Sequence, residues 1–113
     1  MTKVTFFERE DGVILGFEAK GHSGYGEYGS DIVCAAISAL TQATAQGIAE
    51  VVNAPVDSRT NEDIGYLDCF IQNGADEEKL AKAQILLKTL KLALTAISKD
   101  YPGTIRIIIR ERR

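Results

Sequence analysis

His22 is the only histidine in the chain, and Cys34 follows it after a glycine-rich stretch, Gly21-His22-Ser23-Gly24-Tyr25-Gly26-Glu27-Tyr28-Gly29-Ser30-Asp31. A thiolate attacks a carbonyl carbon, and an imidazole beside it first stabilises the thiolate and then returns a proton to the leaving group. Those are the two residue types a thiol hydrolase needs. Cys34 stands where a helical apolar pattern begins. With Asp31 as N-cap it is the third residue of the first turn, where unpaired N–H groups and the positive end of the helix dipole favour a thiolate. Counted at about 100° per residue, it lies about 80° from the centre of the apolar stripe, at the margin between core and solvent. The N–H groups of that turn, Cys34's own included, are candidates for an oxyanion hole. Gly21, Gly24, Gly26 and Gly29 let the loop fold His22 back toward the thiol, and they predict a flexible segment.

Other chemistry fits the same stretch less well. Gly24-Tyr25-Gly26-Glu27-Tyr28-Gly29 matches the G-x-G-x-x-G pattern of a dinucleotide cradle. Such a cradle needs a parallel strand and an acidic residue about 20 residues on, whereas Glu50 falls inside the helix, and Glu27 and Asp31 would repel a pyrophosphate. A metal site drawn from His22, Asp31, Cys34 and Cys69 lacks the close ligand pairs of tetrahedral zinc, so no metal is expected. The plain structural alternative makes the glycines a connector, His22 a surface residue and Cys34 a small buried hydrophobe. Cys69 alternates with Leu67 and Ile71 and reads as core. Asp31 reads as an N-cap or as a third catalytic group; Ser38, one turn after Cys34, lines the cleft or back-bonds to its helix.

The elements that position these residues follow from periodicity. Val4 and Phe6, then Val13, Leu15, Phe17 and Ala19, alternate on either side of Glu10-Asp11-Gly12 as a β-hairpin. Val33, Ile37, Leu40, Thr44, Ile48 and Val51 mark a helix from about Asp31 to about Val52, ended by Asn53-Ala54-Pro55. A weak strand at about 56–59 and a stronger one at about 65–71 follow, then a helix from about Asp76 to about Asp100 on Leu80, Leu87, Leu90, Leu94 and Ile97. Thr104 to Ile109 form a last strand, whose Ile107-Ile108-Ile109 predicts burial on both faces or a subunit contact. The expected fold is α+β: a mostly antiparallel or mixed five-stranded sheet packed with two helices, one domain over residues 1–113. A net charge of −3 gives no diffuse basic field, so direct nucleic-acid binding is not expected. No apolar run reads as membrane-spanning and the N-terminus lacks a signal-peptide pattern, so the expectation is a cytoplasmic chain with reduced cysteines and no membrane partner.

Gly21-His22, Gly24, Gly29 and Ser30-Asp31-Ile32-Val33-Cys34-Ala35-Ala36-Ile37-Ser38 together resemble the motif of the ribosomal-processing cysteine protease family Prp. The strand-helix order and length agree with the resemblance across the chain. It implies His22 and Cys34 as the catalytic pair of a homodimeric, cofactor-free endopeptidase. It further implies a substrate, the N-terminal extension of the large-subunit ribosomal protein L-twenty-seven. Tyr25 and Tyr28 would offer aromatic surface to it. The alternative function is a noncatalytic module for ribosome assembly or ribosomal-protein binding.

Overall fold

A computed structural model describes residues 1–27 and 31–112. Strands β1 (Thr2–Glu8) and β2 (Ile14–Lys20) lead to helix α1 (Ile32–Gln46), which continues as one π-helical turn, Gly47–Val51. Strand β3 (Val56–Asn61), a 3-10 turn (Glu62–Ile64) and strand β4 (Tyr66–Ile71) precede helix α2 (Glu77–Asp100) and strand β5 (Ile105–Glu111). The sheet order is β3-β4-β2-β1-β5. All pairs are antiparallel except β1 with β5, which run parallel in the register Thr2↔Ile105 to Glu8↔Glu111. The sheet is therefore mixed, and its two helices complete the expected α+β architecture.

Local chemistry explains the elements. The hairpin closes where Asp11 takes two bonds from the Arg9 guanidinium and one from Val13 N–H, with Gly12 at φ +87°. That φ suits glycine, which has no Cβ to clash. Asp76 caps α2 by accepting from Lys79 N–H at 2.8 Å, while Glu77 and Glu78 in its first turn and Lys99 in its last complement the dipole. Leu80, Ala83, Leu87, Leu90 and Leu94 are its buried face. They meet Val4, Phe6, Phe17, Ala19 and Cys69 from the sheet, Val33 and Ile37 from α1 and Ile48 from the π turn in one core. Each fully buried leucine contributes about 1.5–3 kcal/mol by leaving water.

Three expectations need correction. Val51 is 80% exposed rather than part of the stripe, because the π turn is wider than an α turn and rotates the residues after Gln46 out of phase. Thr41 takes a core position instead, its hydroxyl satisfied by the Ile37 carbonyl at 2.8 Å. Of the two readings of Ile107-Ile108-Ile109, burial on both faces within the chain fails and the subunit contact is left: β5 is an edge strand, and Ile109 is 47% exposed. Finally, Ile32–Val51 is long and apolar enough to span a membrane, with mean hydropathy 1.4, contrary to the sequence reading. In this fold its apolar stripe packs against the sheet.

Candidate active site

The site lies at the end of the sheet where β2 runs out and α1 begins. Gly21, at φ +95°, turns the chain out of β2; its N–H bonds to the Gly65 carbonyl and its own carbonyl accepts from the Thr2 hydroxyl at 3.2 Å. These contacts from β1 and the β3–β4 connection fix where the next two residues start. His22 is exposed and stands against Gly65, where a Cβ would come within 3.0 Å of His22 Cε1 and 2.9 Å of the Gly21 carbonyl oxygen. Gly65 itself sits at φ +61°. A glycine there leaves the histidine its space.

Cys34 is half-buried in the first turn of α1. Its Sγ accepts a hydrogen bond from Ser23 N–H at 3.1 Å and faces Ser23 Oγ at 3.5 Å. Ser23 follows His22 directly, so one two-residue segment carries both the imidazole and the donor on the sulfur. The Ser23 hydroxyl, in a residue only 2% exposed, donates to Asp31 Oδ2 at 2.5 Å. That oxygen also accepts from Tyr25 and Gly26 N–H at 3.0 and 3.1 Å. The other oxygen of Asp31 accepts from Val33 and Cys34 N–H at 2.9 and 3.0 Å. Asp31 is thus the N-cap of α1 and the clamp of the preceding loop at once. Burial works to raise its carboxyl, but the Ser23 hydroxyl and the N–H groups of Cys34, Gly26 and Val33 outweigh burial and hold it well below the usual carboxylate range.

This geometry alters two expectations. The Cys34 N–H is committed to Asp31, so it is not a ready oxyanion donor. The donor already aimed at the sulfur is Ser23 N–H, from a residue that sequence reasoning did not single out. Nothing in the spacing of Ser23 marks it; only the loop's return onto Asp31 does. The loop glycines also differ among themselves: Gly21 and Gly24 adopt positive φ, Gly26 does not, and Gly29 lies outside the described residues with Tyr28 and Ser30. The described part of the segment is tied down by the Asp31 bonds. Any opening of it must break them.

Ser38 is exposed one turn beyond Cys34, and its hydroxyl accepts from Gln42 Nε2 at 2.7 Å rather than bonding back to the helix. Tyr25, 52% exposed, meets Tyr101 edge-on at 5.1 Å and puts an aromatic face beside the loop. Cys69 lies in the core, 1% exposed, and its thiol is pushed up to about 11, chiefly by burial and also by Asp68. Among the described residues no three metal-binding side chains gather.

The sequence profile described as cysteine protease Prp matches residues 1–106. The ribosomal processing cysteine protease Prp of Bacillus subtilis (strain 168) is 29% identical over 107 residues, which cover 95% of this chain and 96% of that protein. The protein of the same description from Staphylococcus aureus (strain Mu50 / ATCC 700699) is 27% identical over 107 residues, with 95% and 97% covered. In structure, the chain resembles an essential ribosomal processing protease Prp from S. aureus, solved in complex with a covalently linked product peptide. The TM-score is 0.85 at 26% identity, over 97% of this chain and 100% of that one.

Proposed function

We propose, from the premise that this chain belongs to the cysteine protease Prp family, that Cys34 and His22 are its nucleophile and its general acid-base. The observation that carries this reading is the Cys34 sulfur at the start of α1, receiving Ser23 N–H from the residue next to His22. In the proposed cycle the Cys34 thiolate adds to the scissile carbonyl, and the C–N bond breaks as His22 protonates the leaving amine. The thioester is then hydrolysed by water that gives its proton to His22. The Ser23 N–H, already directed at the sulfur, is placed to donate to the oxyanion that forms beside it. Asp31 acts through others: it caps the helix bearing Cys34 and positions Ser23.

The proposed substrate is a ribosomal-protein precursor with an N-terminal extension, that of the large-subunit protein L-twenty-seven. Ribosomal processing by the relatives supports the class, and the exposed Tyr25 offers aromatic surface beside the loop to a bound peptide. The reaction needs no cofactor, since nucleophile, proton carrier and oxyanion donor are all supplied by the chain. Two free cysteines agree with a reducing cytoplasm. For a homodimer, α2 offers a stripe in which Ile85 and Leu92, seven residues apart, are 69% and 73% exposed; Ile85→Glu with Leu92→Glu should yield monomer in sedimentation.

The test is a peptide spanning the extension junction, followed by mass spectrometry. Wild type should cut it once; Cys34→Ala should bind without cutting, and His22→Ala should lose several orders of magnitude, as members of a catalytic unit fail together. Binding by wild type without any cut would replace the protease with a binding module.

A further inference from the structure

Alternate residues of a strand point to opposite faces of its sheet. Val4, Phe6, Phe17 and Cys69 face the helices, so the residues between them form the second face. On that face Lys3 is flanked by Lys20 on β2 and Arg106 on β5, a row of three cations across neighbouring strands. Arg110 lies beside Phe7 on the same face, and the Arg112 guanidinium lies 4.3 Å over the Phe70 ring. Along the edge strand these arginines are two and four residues apart, roughly 7 and 13 Å. Lys3, Lys20, Arg106 and Arg110 are all exposed and, among the described residues, make no ion pair.

The carboxylates of this face are largely withdrawn. Asp68 is 1% exposed and bound by the Arg59 guanidinium and the Tyr66 hydroxyl, and Glu18 is half-buried beside the same hydroxyl. Asp57 is the exposed exception, held by Gln72 at 3.1 Å. A chain of net charge −3 therefore presents one cationic side. The overall charge hid this from the sequence reading, because it is the pairing register that collects the cations on one face.

Phe7 and Phe70 lie on either side of Gly16 in the intervening strand, with ring centroids 5.1 Å apart. A Cβ on Gly16 would stand 2.5 Å from Phe70 Cδ1, so the missing side chain lets the rings close over the middle strand. Both rings are half-buried; Phe70 carries the Arg112 guanidinium over its face, which a base stacking there would displace. Aromatic surface that accepts stacked bases, ringed by cations that take phosphates, is the chemistry of single-strand recognition on an open sheet.

We propose that this helix-free sheet face binds single-stranded RNA, holding the protease near the ribosomal particles whose proteins it processes. The choice of RNA rests on the ribosomal reading above, whereas the charge and the rings stand without it.

Fluorescence anisotropy with a labelled, mixed-sequence single-stranded RNA of about 12 nucleotides tests this on the full chain. Wild type should bind at low salt and weaken roughly 50-fold between about 50 and about 200 mM salt, as expected if four cations each neutralise a phosphate. Arg106→Glu with Arg110→Glu, and separately Arg106→Gln with Arg110→Gln, should weaken binding about tenfold or more, the reversal more than the neutral pair. Both should still cut the junction peptide at the wild-type rate, because neither arginine touches the thiol site. Absence of binding at low salt, or equal binding by the variants, would each overturn the proposal. So would a change in sedimentation of the variants with RNA affinity unchanged, which would assign the face to a contact between copies. Peptide cleavage is read in the same samples, so loss of RNA binding with cleavage intact separates this proposal from the protease reading.

Discussion

The two cysteines occupy opposite environments. Cys34 opens to the margin of a helix start, whereas Cys69 is enclosed between the sheet and the helices with its thiol pushed up to about 11. Iodoacetamide at neutral pH should therefore label Cys34 well before Cys69 in the folded protein, as peptide mapping would show. Equal labelling would mean that the thiol assignment is wrong. Asp31 allows a finer test, since its two oxygens have separate tasks. Asparagine keeps one acceptor for the Val33 and Cys34 N–H groups, but its amide would place a donor against the Ser23 hydroxyl and the Tyr25 and Gly26 N–H groups. Asp31→Asn should thus preserve helix capping and thermal stability better than Asp31→Ala, yet impair cleavage about as severely. An Asn variant with near-normal cleavage would show that the loop is placed by something other than this carboxylate.

At the level of elements, β2, α1 and α2 were legible in the sequence because each buries one side, so periodicity reports its limits. Cys34 and His22 could be singled out for a different reason: their types are informative, and Cys34 falls in the first turn of a helix whose start the apolar pattern marks. Ser23 and Gly65 were not. Their roles arise from chain segments that meet only after folding, and no local spacing records that meeting. Gly65 supplies the test. Alanine there must hold a left-handed conformation at a cost of about 1–2 kcal/mol, and its methyl would press on His22 Cε1 and the Gly21 carbonyl. Gly65→Ala should lower cleavage by more than its loss of stability explains, measured as kcat on protein that remains folded. An unaltered kcat would remove Gly65 from the placement of His22. The face with Lys3 and Arg106 was illegible for a related reason, because those residues meet only through the β1–β5 pairing.

For the whole molecule, the buried ionisable groups set the pH range of stability. Burial opposes ionisation of Asp31 and Asp68, but their hydrogen bonds prevail and keep both below their ordinary value of 3.8. The fold therefore favours their ionised forms, and that stability is full above about pH 5 and declines as pH falls through 3.8. Cys69 behaves oppositely: its unfolded form releases a proton near 9.0 and its folded form near about 11, so stability falls as pH rises across that interval. Tyr66, raised by burial and by bonding to Asp68 and Glu18, acts in the same direction. The urea midpoint should hold a plateau from about pH 5 to about pH 9 and drop on both sides, with a shallower alkaline drop in Cys69→Val. A midpoint unchanged between about pH 5 and about pH 3 would contradict the acid half.

The parallel pairing of β1 with β5 also sets an order of events during synthesis. Strand β1 leaves the ribosome first and its neighbour β5 last, yet Thr2 N–H bonds to the Thr104 carbonyl while the Thr2 hydroxyl holds the carbonyl of Gly21, just before His22. The end of the sheet that carries the thiol is completed only when the last strand arrives. Until β5 pairs, Thr2, which holds the carbonyl just before His22, lacks one of its own backbone anchors.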